Sequence, residues 1–231
     1  MKKDIISRII SILVIVVSPV FFIAVAAFFT CAFRPFYYML IGPLKIEETS
    51  GYSREVIVEA FDDVMNFIWR GAEFKTGQLA WTEEEKAHFE DCVPLFKLQL
   101  ILTVVLGILL LTYAFLIKFK VIKHKKVLGI SPIAYGGAAA ILILAAVGLF
   151  AAIDFDKLFE VFHHIAFPGK ENWMFDYQTE QIINILPESF FLACLILIVS
   201  IVVLLSIGSI VFGLVTRTKK NKNNENFPEN A

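Results

Sequence analysis

The sequence lacks the motifs on which most soluble hydrolases and nucleotide-binding enzymes depend. It has no Gly-x-Ser-x-Gly nucleophile elbow, no His-Glu-x-x-His zinc helix and no glycine-rich phosphate-binding loop. Cysteine is scarce, and because Cys31, Cys92 and Cys194 form no paired spacing, a disulfide framework is not expected. These absences argue against a serine hydrolase, a zinc-dependent protease and a nucleotide hydrolase.

Charge is also scarce, whereas hydrophobic residues are abundant. Charged residues make up 19% of the 231 residues, 58% are hydrophobic, and the mean hydropathy is +0.72. A helix needs about 20 apolar residues to cross the roughly 30 Å hydrocarbon layer of a bilayer. Four stretches reach that length, at residues 5–33, 95–117, 133–153 and 190–215. We therefore predict an all-α integral membrane four-helix bundle, with residues 1–216 as a single transmembrane domain.

Lysine and arginine lie in three clusters that flank the predicted spans. Because these residues are retained preferentially in cytoplasmic loops, the clusters and both chain termini are predicted to be cytoplasmic. The clusters are Lys2, Lys3 and Arg8; Lys118, Lys120, Lys123, Lys125 and Lys126; and Arg217, Lys219, Lys220 and Lys222. Two long outer loops, residues 34–94 and 154–189, then place any active site at the outer face. The polar tail, residues 217–231, is predicted to be disordered.

The first outer loop is too long to be unstructured in a compact protein, so helices are expected in it. Ser53 is placed to cap a helix that Gly71 ends. Apolar residues between them recur at helical spacing: Ile57, Ala60, Phe61, Val64 and Ile68.

A second, short helix is predicted just before the second membrane span. Thr82 starts it through a capping box with Glu85, and Pro94 is then expected in the first turn of the membrane helix that follows. His88 and Asp91 would stand one turn apart on one face of the short helix, just above the membrane.

The second outer loop is predicted to contain an amphipathic helix capped by Asp154 or Asp156. Its apolar face is formed by Phe155, Leu158, Phe159, Phe162 and Ile165. At 100° per residue, His163 lies at the border of that face, whereas His164 points towards solvent. Only His163 is therefore expected to meet a lipid substrate.

Histidines at the outer boundary of the membrane suit a site that handles lipid head groups. A neutral imidazole can take a proton near pH 7, and Asp91 or Glu84 could orient His88. Three other interpretations compete with this one. The histidines could be ordinary surface residues, or they could belong to a metal site. Transport is disfavoured, because transport sites need charged or broken helices at mid-bilayer and the spans hold almost no ionisable residues. The ligands of the metal site would come from His88, Asp91, Cys92, His163 and His164.

Two segments resemble the signature loops of a bacterial membrane protein family that includes the lipoprotein intramolecular transacylases. Residues 84–96, which read EEKAHFEDCVPLF, resemble the family's His-Met-x-Asp-Val segment. Residues 159–169, which read FEVFHHIAFPG, are similar to its second loop together with residues 172–175 and 185–191. The resemblance implies transfer of an acyl chain, in the bacterial cell membrane, from the diacylglyceryl group of a lipoprotein to the α-amino group of its N-terminal cysteine. The product is a lyso-form lipoprotein.

The resemblance also implies catalytic roles for His88, Asp91 and His163. We expect His88 to be the general base, oriented by Asp91, and His163 to protonate the leaving glyceryl oxygen or to donate to the oxyanion. Residues expected to contact the substrate are Arg34, Phe162, Asn172 and Trp173. Because the ester and the amine belong to one molecule, the enzyme needs to supply mainly orientation and desolvation. No cofactor or metal is therefore expected.

The expected partners are the diacylglyceryl lipoprotein and membrane lipid, with no nucleic acid, and the sequence does not indicate an oligomeric state. Two other classes of function stay open beside the acyltransferase. One is a non-catalytic membrane protein that binds a lipid or protein partner through its outer loops. The other is a metal-dependent membrane hydrolase.

Overall fold

The structure is a computed structural model that describes the backbone of residues 2–123 and 125–216, and side chains from residue 5 onward. The predicted disordered tail, residues 217–231, lies outside the described residues. The helices are α1 (Lys2–Ala32), α2 (Pro35–Leu40), α3 (Ile46–Ser50), α4 (Arg54–Arg70), α5 (Glu83–Lys118), α6 (Pro132–Ile153), α7 (Phe155–Ala166) and α8 (Glu188–Val215), with a short 3₁₀ helix at Gln181–Asn184.

Four of these helices, α1, α5, α6 and α8, are long and apolar enough to cross a membrane. The all-α four-helix fold predicted from hydropathy is therefore confirmed. Helix α6 lies against both α1 and α8, and glycine permits the close approach. A Cβ added to Gly136 would lie 2.5 Å from the Cβ of Ser18 on α1, and one on Gly137 would lie 2.1 Å from Oγ of Ser209 on α8.

The prediction of a separate short helix before the second span is wrong, because α5 is one continuous helix with Pro94 in its interior. Proline removes the hydrogen bond to the carbonyl four residues earlier, at Glu90, which is exposed and can be hydrated. The helix has 36 residues, or about 54 Å at 1.5 Å per residue, against roughly 30 Å of hydrocarbon. The three turns before Leu95 therefore project beyond the membrane-spanning part, and they carry His88 on a rigid support.

The basic linker between α5 and α6 lies at the same end of the bundle as the start of α1 and the end of α8. Oγ of Ser11 donates to the carbonyl of Lys125 at 2.9 Å. Nζ of Lys126 donates to the carbonyl of Thr216. The two loops that were predicted to be outer, residues 34–94 and 154–189, join the other ends of these helices, so the two ends of the bundle are chemically distinct.

The outer loops fold together into a cap with a hydrophobic core of its own. Helix α4 begins after Ser53 and ends at Gly71 in the left-handed region, as predicted, and its five predicted apolar positions are buried. Tyr37 of α2 stacks on Phe61 of α4 at 3.9 Å between ring centroids. Its hydroxyl donates to the carbonyl of Ile185 at 2.7 Å, which fixes the second outer loop against the first.

Candidate active site

The cap brings together His88 from α5 and His163 from α7, which are 75 residues apart in sequence. Each is only 7% exposed, and their ring centroids lie 6.0 Å apart. His164 remains exposed and pairs with Glu160 at 3.5 Å. The predicted difference in exposure between the adjacent histidines is therefore confirmed, and the contact of His163 with substrate stays a prediction.

His88 lies in an aromatic pocket with one ring nitrogen unpartnered. Phe167 and Phe175 approach it edge-on at centroid distances of 5.0 and 5.4 Å. Its Nε2 contacts Sγ of Cys92 at 3.5 Å, whereas Nδ1 is buried and has no hydrogen-bond partner. A buried polar atom without a partner is costly, so Nδ1 is available to a ligand.

Burial governs the protonation state of His88. Loss of hydration lowers its pKa to about 4, and the nearby His163 and Lys170 act in the same direction, against the charge of Asp91. The ring is therefore neutral at physiological pH.

His163 has a defined tautomer. Its Nδ1 lies 2.8 Å from the carbonyl oxygen of Phe159, which can only accept, so Nδ1 carries the proton and Nε2 has the lone pair. Burial lowers the pKa of His163, and the hydrogen bond to Phe159 partly opposes that shift. His163 is in the last turn of α7, and Trp173 stacks on it at 4.6 Å and 24°. Both the dipole and the indole face stabilise a cation at this position.

Asp91 has different partners from those expected. Its carboxylate accepts from Nζ of Lys170 and, at 3.0 Å, from Nδ2 of Asn172, and no hydrogen bond joins it to His88. Burial would raise the pKa of Asp91, but the hydrogen bonds from Lys170 and Asn172 hold it below its ordinary value. The expected orientation of His88 by Asp91 is thus absent from this geometry. Instead, Asp91 holds the loop that carries Trp173.

A second carboxylate on α5, Glu85, lies one turn before His88 and is fully buried. It accepts from the backbone N–H of Thr82 at 2.7 Å, completing the predicted capping box, and from that of Ile182 at 3.4 Å. Burial raises its pKa, and the charge of Glu180 adds to the shift. Two carboxylates of α5 therefore hold the second outer loop, one on each side of His88.

Of the four residues expected to contact substrate, Trp173 stacks on His163, and the other three lie in different surroundings. Phe162 is 55% exposed and meets His163 edge-on at 5.2 Å. Asn172 has a buried Oδ1 without a partner, beside Asp91. Arg34, by contrast, donates to Asp62 at 2.9 Å and to Asn66 at 2.8 Å, within a polar network between α1 and α4.

The side chains in this part of the cap do not form a metal-ligand set. Among residues 5–123 and 125–216, no three His, Cys, Asp or Glu side chains converge so that they could hold a metal ion. Of the ligands considered from the sequence, Asp91 is taken by Lys170 and Asn172, and His164 by Glu160.

Several residues that shape the site were not predicted. Phe167 and Phe175 pack against His88, and Lys170 binds Asp91, although none of the three was named as a site residue. Cys92, considered from the sequence only as a metal ligand, contacts Nε2 of His88. The presence of Phe167 and Phe175 in the segments that carry the family resemblance was the signal that could have found them. Trp69 of α4 was also missed, and it has a buried indole N–H without a partner.

Known proteins resemble this chain over most of its length. The family profile described as lipoprotein intramolecular transacylase Lit matches residues 12–191. The fold is similar to the in meso structure of the membrane integral lipoprotein intramolecular transacylase Lit from Bacillus cereus. That comparison has a TM-score of 0.82 and 19% identity, covering 92% of this chain and 96% of the other.

Two variant structures of the same Bacillus cereus protein are also similar. One has a histidine replaced by arginine, with a TM-score of 0.73 and 22% identity, covering 92% of both chains. The other has a histidine replaced by alanine, with a TM-score of 0.69 and 21% identity, covering 92% of this chain and 94% of the other. No curated protein sequence matches the chain.

Proposed function

The chain belongs to the lipoprotein intramolecular transacylase family, and from that premise we propose that His88 and His163 catalyse the transfer together. The protein is a membrane-integral acyltransferase that transacylates lipoproteins intramolecularly. A non-catalytic binding protein and a metal-dependent hydrolase are therefore set aside. The observation that carries the proposal is the pair of buried, neutral imidazoles whose ring centroids lie 6.0 Å apart in the cap.

His163 is proposed as the general base, a role that the sequence had assigned to His88. The hydrogen bond from Nδ1 to Phe159 leaves Nε2 as the acceptor. The cation that forms there is stabilised by the C-terminal end of α7 and by the stacked ring of Trp173. His88 has neither support.

His88 is proposed as the neutral hydrogen-bond donor to the developing oxyanion. A donor that stays neutral suits this role, as it does where a histidine near a helix N-terminus polarises a carbonyl. The unpartnered Nδ1 can donate when the thiol of Cys92 donates to Nε2. Such a donor acts on charge that appears only in the transition state, so it lowers the barrier without tightening substrate binding.

The reaction then balances without an external reactant. The neutral α-amine of the lipoprotein attacks the carbonyl carbon of the glyceryl ester, and the oxyanion is stabilised by His88. Nε2 of His163 takes a proton from the nitrogen. As the bond from carbon to the glyceryl oxygen breaks, His163 returns that proton to the leaving oxygen. The products are an amide and a glyceryl hydroxyl, and His163 is neutral again.

Other residues are proposed to position the reactants. Asp91 fixes Lys170 and Asn172, and through that loop holds Trp173 against His163. The open Oδ1 of Asn172 can accept from the substrate amine. Phe162 lies at the outer surface where the lipid part would pass, and Arg34 is proposed to contact the substrate only if its bonds to Asp62 and Asn66 rearrange.

We propose that residues 1–216 act as one transmembrane domain, with both termini cytoplasmic and the site at the outer face. The basic linker at the end opposite the cap supports this orientation. The proposed substrate is a diacylglyceryl lipoprotein within the bacterial cell membrane.

The function is tested by expressing the protein in cells that make only diacylglyceryl lipoproteins. Mass spectrometry of the N-terminal lipopeptide should show one acyl chain on the α-amine and one on the glyceryl group. A lipopeptide that keeps both acyl chains on glycerol and a free amine would overturn the acyltransferase assignment.

A further inference from the structure

A lateral groove of about 320 Å³ lies between α1 and α5 and is separate from the histidine pocket. Its volume is at the lower end of the range of ligand pockets, roughly 300 to 1,000 Å³. The lining is almost entirely apolar, and it comes from Val20, Ala24 and Ala27 on α1 and from Leu95, Gln99 and Leu102 on α5.

The groove follows the face of α5 that presents His88. At 100° per residue, positions 92, 95, 99 and 102 all fall within about 40° of the direction of position 88. His88 contacts Cys92, and the groove begins at Leu95, three residues further along. The groove therefore starts about two turns beyond His88 on the same face of α5, and from there it follows the helix towards the middle of the span.

We propose that this groove holds the acyl chain that is being transferred, with its ester carbonyl at His88 and its tail directed towards the bilayer centre. The inference rests on the proposed function and specifies how the enzyme holds the substrate. It commits to a chain of the diacylglyceryl substrate as the occupant, rather than a bulk lipid, because the groove starts at Leu95, on the face of α5 that presents His88 and about two turns beyond it.

The depth of the groove fits one leaflet. From Leu95 to Leu102 the helix rises about 10 Å, and half of the hydrocarbon layer is roughly 15 Å. Small side chains on α1, Ala24 and Ala27, open the space. Below it the two helices come into contact, since a Cβ on Gly107 would lie only 3.2 Å from the ring of Phe21.

Trp69 is a second observation that indicates a ligand near the end of the groove that is closer to His88. It packs edge-on against Phe28 of α1 and Phe96 of α5, the residues that follow Ala27 and Leu95. Its indole N–H is buried and unpartnered at this level of the two helices. A buried indole N–H usually has an acceptor, and a lipid ester oxygen can supply one.

The groove should orient the chain more than it increases affinity. Lipid tails are about as apolar as leucine side chains, so moving an acyl chain from the bilayer to the groove gains little hydrophobic free energy. Fixing the ester relative to His88, however, raises the rate by removing unproductive orientations. Filling the groove should therefore affect turnover according to chain length.

The test compares Ala27→Leu with Ala145→Leu, which adds the same atoms to a lipid-facing position of α6. Turnover of diacylglyceryl lipopeptides with sixteen-carbon or eight-carbon chains is measured in proteoliposomes. We expect Ala27→Leu to lower kcat/KM about 10-fold for the long chain and less than 3-fold for the short one, with Ala145→Leu unchanged. Equal losses of kcat/KM for both chain lengths, or no loss, would overturn the proposal that the groove holds the acyl chain.

A second measurement does not depend on turnover or on the variant's folding. A lipopeptide with a diazirine near the middle of its acyl chains is cross-linked to the wild-type protein, and unlabelled lipopeptide competes. Competable cross-links should map to residues 20–27 and 95–102. Competable cross-links confined to α6 or α8 would refute the proposal. If wild-type protein gives no N-acylated product but cross-links in the groove, the proposed function fails and the binding site remains.

Discussion

The first turns of α5 and the last turn of α7 each present a buried histidine to the same pocket, but the two rings have different hydrogen-bond and aromatic partners. His88, in the second turn of α5, has its pKa lowered to about 4 by burial, and its Nδ1 has no hydrogen-bond partner. His163 lies at the negative end of the α7 helix dipole, bonded to Phe159 and stacked on Trp173. Burial keeps both rings neutral, but only His163 has an acceptor on Nδ1, a stacked indole and a helix C-terminus, which favour the cation that forms when Nε2 takes a proton.

The difference teaches that two histidines of equal burial need not share a role. The immediate partners of each ring decide which of them can take a proton, since His163 has Phe159 and Trp173 beside it and Nδ1 of His88 has no partner. A general base and an oxyanion donor are thereby built from the same residue type.

Replacing each histidine by glutamine should break the equivalence most clearly. Glutamine keeps an N–H donor but cannot act as a base. His163→Gln should lower kcat/KM by about 10³-fold or more, near the upper contribution of a general base. His88→Gln should cost only about 10- to 100-fold, because part of the donor function of an oxyanion hole is retained. N-acylated lipopeptide formed in proteoliposomes is the measurement.

The matched controls are His88→Ala and His163→Ala, which remove both functions. His88→Ala should fall well below His88→Gln, whereas His163→Ala and His163→Gln should be equally inactive. If glutamine rescues position 163 and not position 88, the roles are reversed and His88 is the base.

The pH profile should sharpen the comparison. With the pKa of His88 lowered to about 4 and that of His163 lowered below its ordinary 6.5, both free rings stay neutral between pH 7.5 and 6.5. Only the substrate amine, with a pKa of about 7.7 to 8.0, then titrates in this range, so kcat/KM should fall about 7-fold from pH 7.5 to 6.5. A steeper slope beginning near pH 6.5 would show that the imidazoles are solvated in the working enzyme.

Asp91 and Lys170 should behave as one unit that positions the α7 side of the pocket. Asp91→Asn and Lys170→Gln should each reduce kcat/KM by roughly 5-fold, the scale of about 1 kcal/mol for a partly exposed ion pair. The double variant should lose no more than the worse single variant, which is the signature of a shared interaction. If Asp91→Asn greatly lowered kcat/KM and Lys170→Gln left it unchanged, Asp91 would instead act by orienting His88, as the sequence predicted.

Local patterns predicted much of this architecture. Four apolar stretches predicted the bundle, and the spacing between Ser53 and Gly71 predicted α4. The 100° rotation per residue separated His163 from His164 correctly. Each of these features depends on residues within a few turns of one another.

The features that the sequence did not predict depend on distant partners. Pro94 is a common first-turn residue, and nothing nearby indicates that α5 continues through it. Asp91 meets Lys170 and Asn172 across about 80 residues, and Glu85 meets Ile182 across 97. A carboxylate one turn from a histidine therefore predicted the wrong partner, because a charged loop competes for it.

The smallest effect is expected at His164, the neighbour of the base. Its side chain is 55% exposed, pairs with Glu160 at 3.5 Å and meets only the edge of Trp173, at 5.5 Å. An exposed pair of this kind contributes about 0 to 1 kcal/mol, so His164→Ala should keep kcat/KM within roughly 3-fold of the wild type. The adjacent change His163→Ala serves as the comparison in the same lipopeptide assay. A loss of kcat/KM at position 164 as large as that at position 163 would mean that α7 is rotated in the working enzyme. The end of this helix would then not present His163 to the pocket as described.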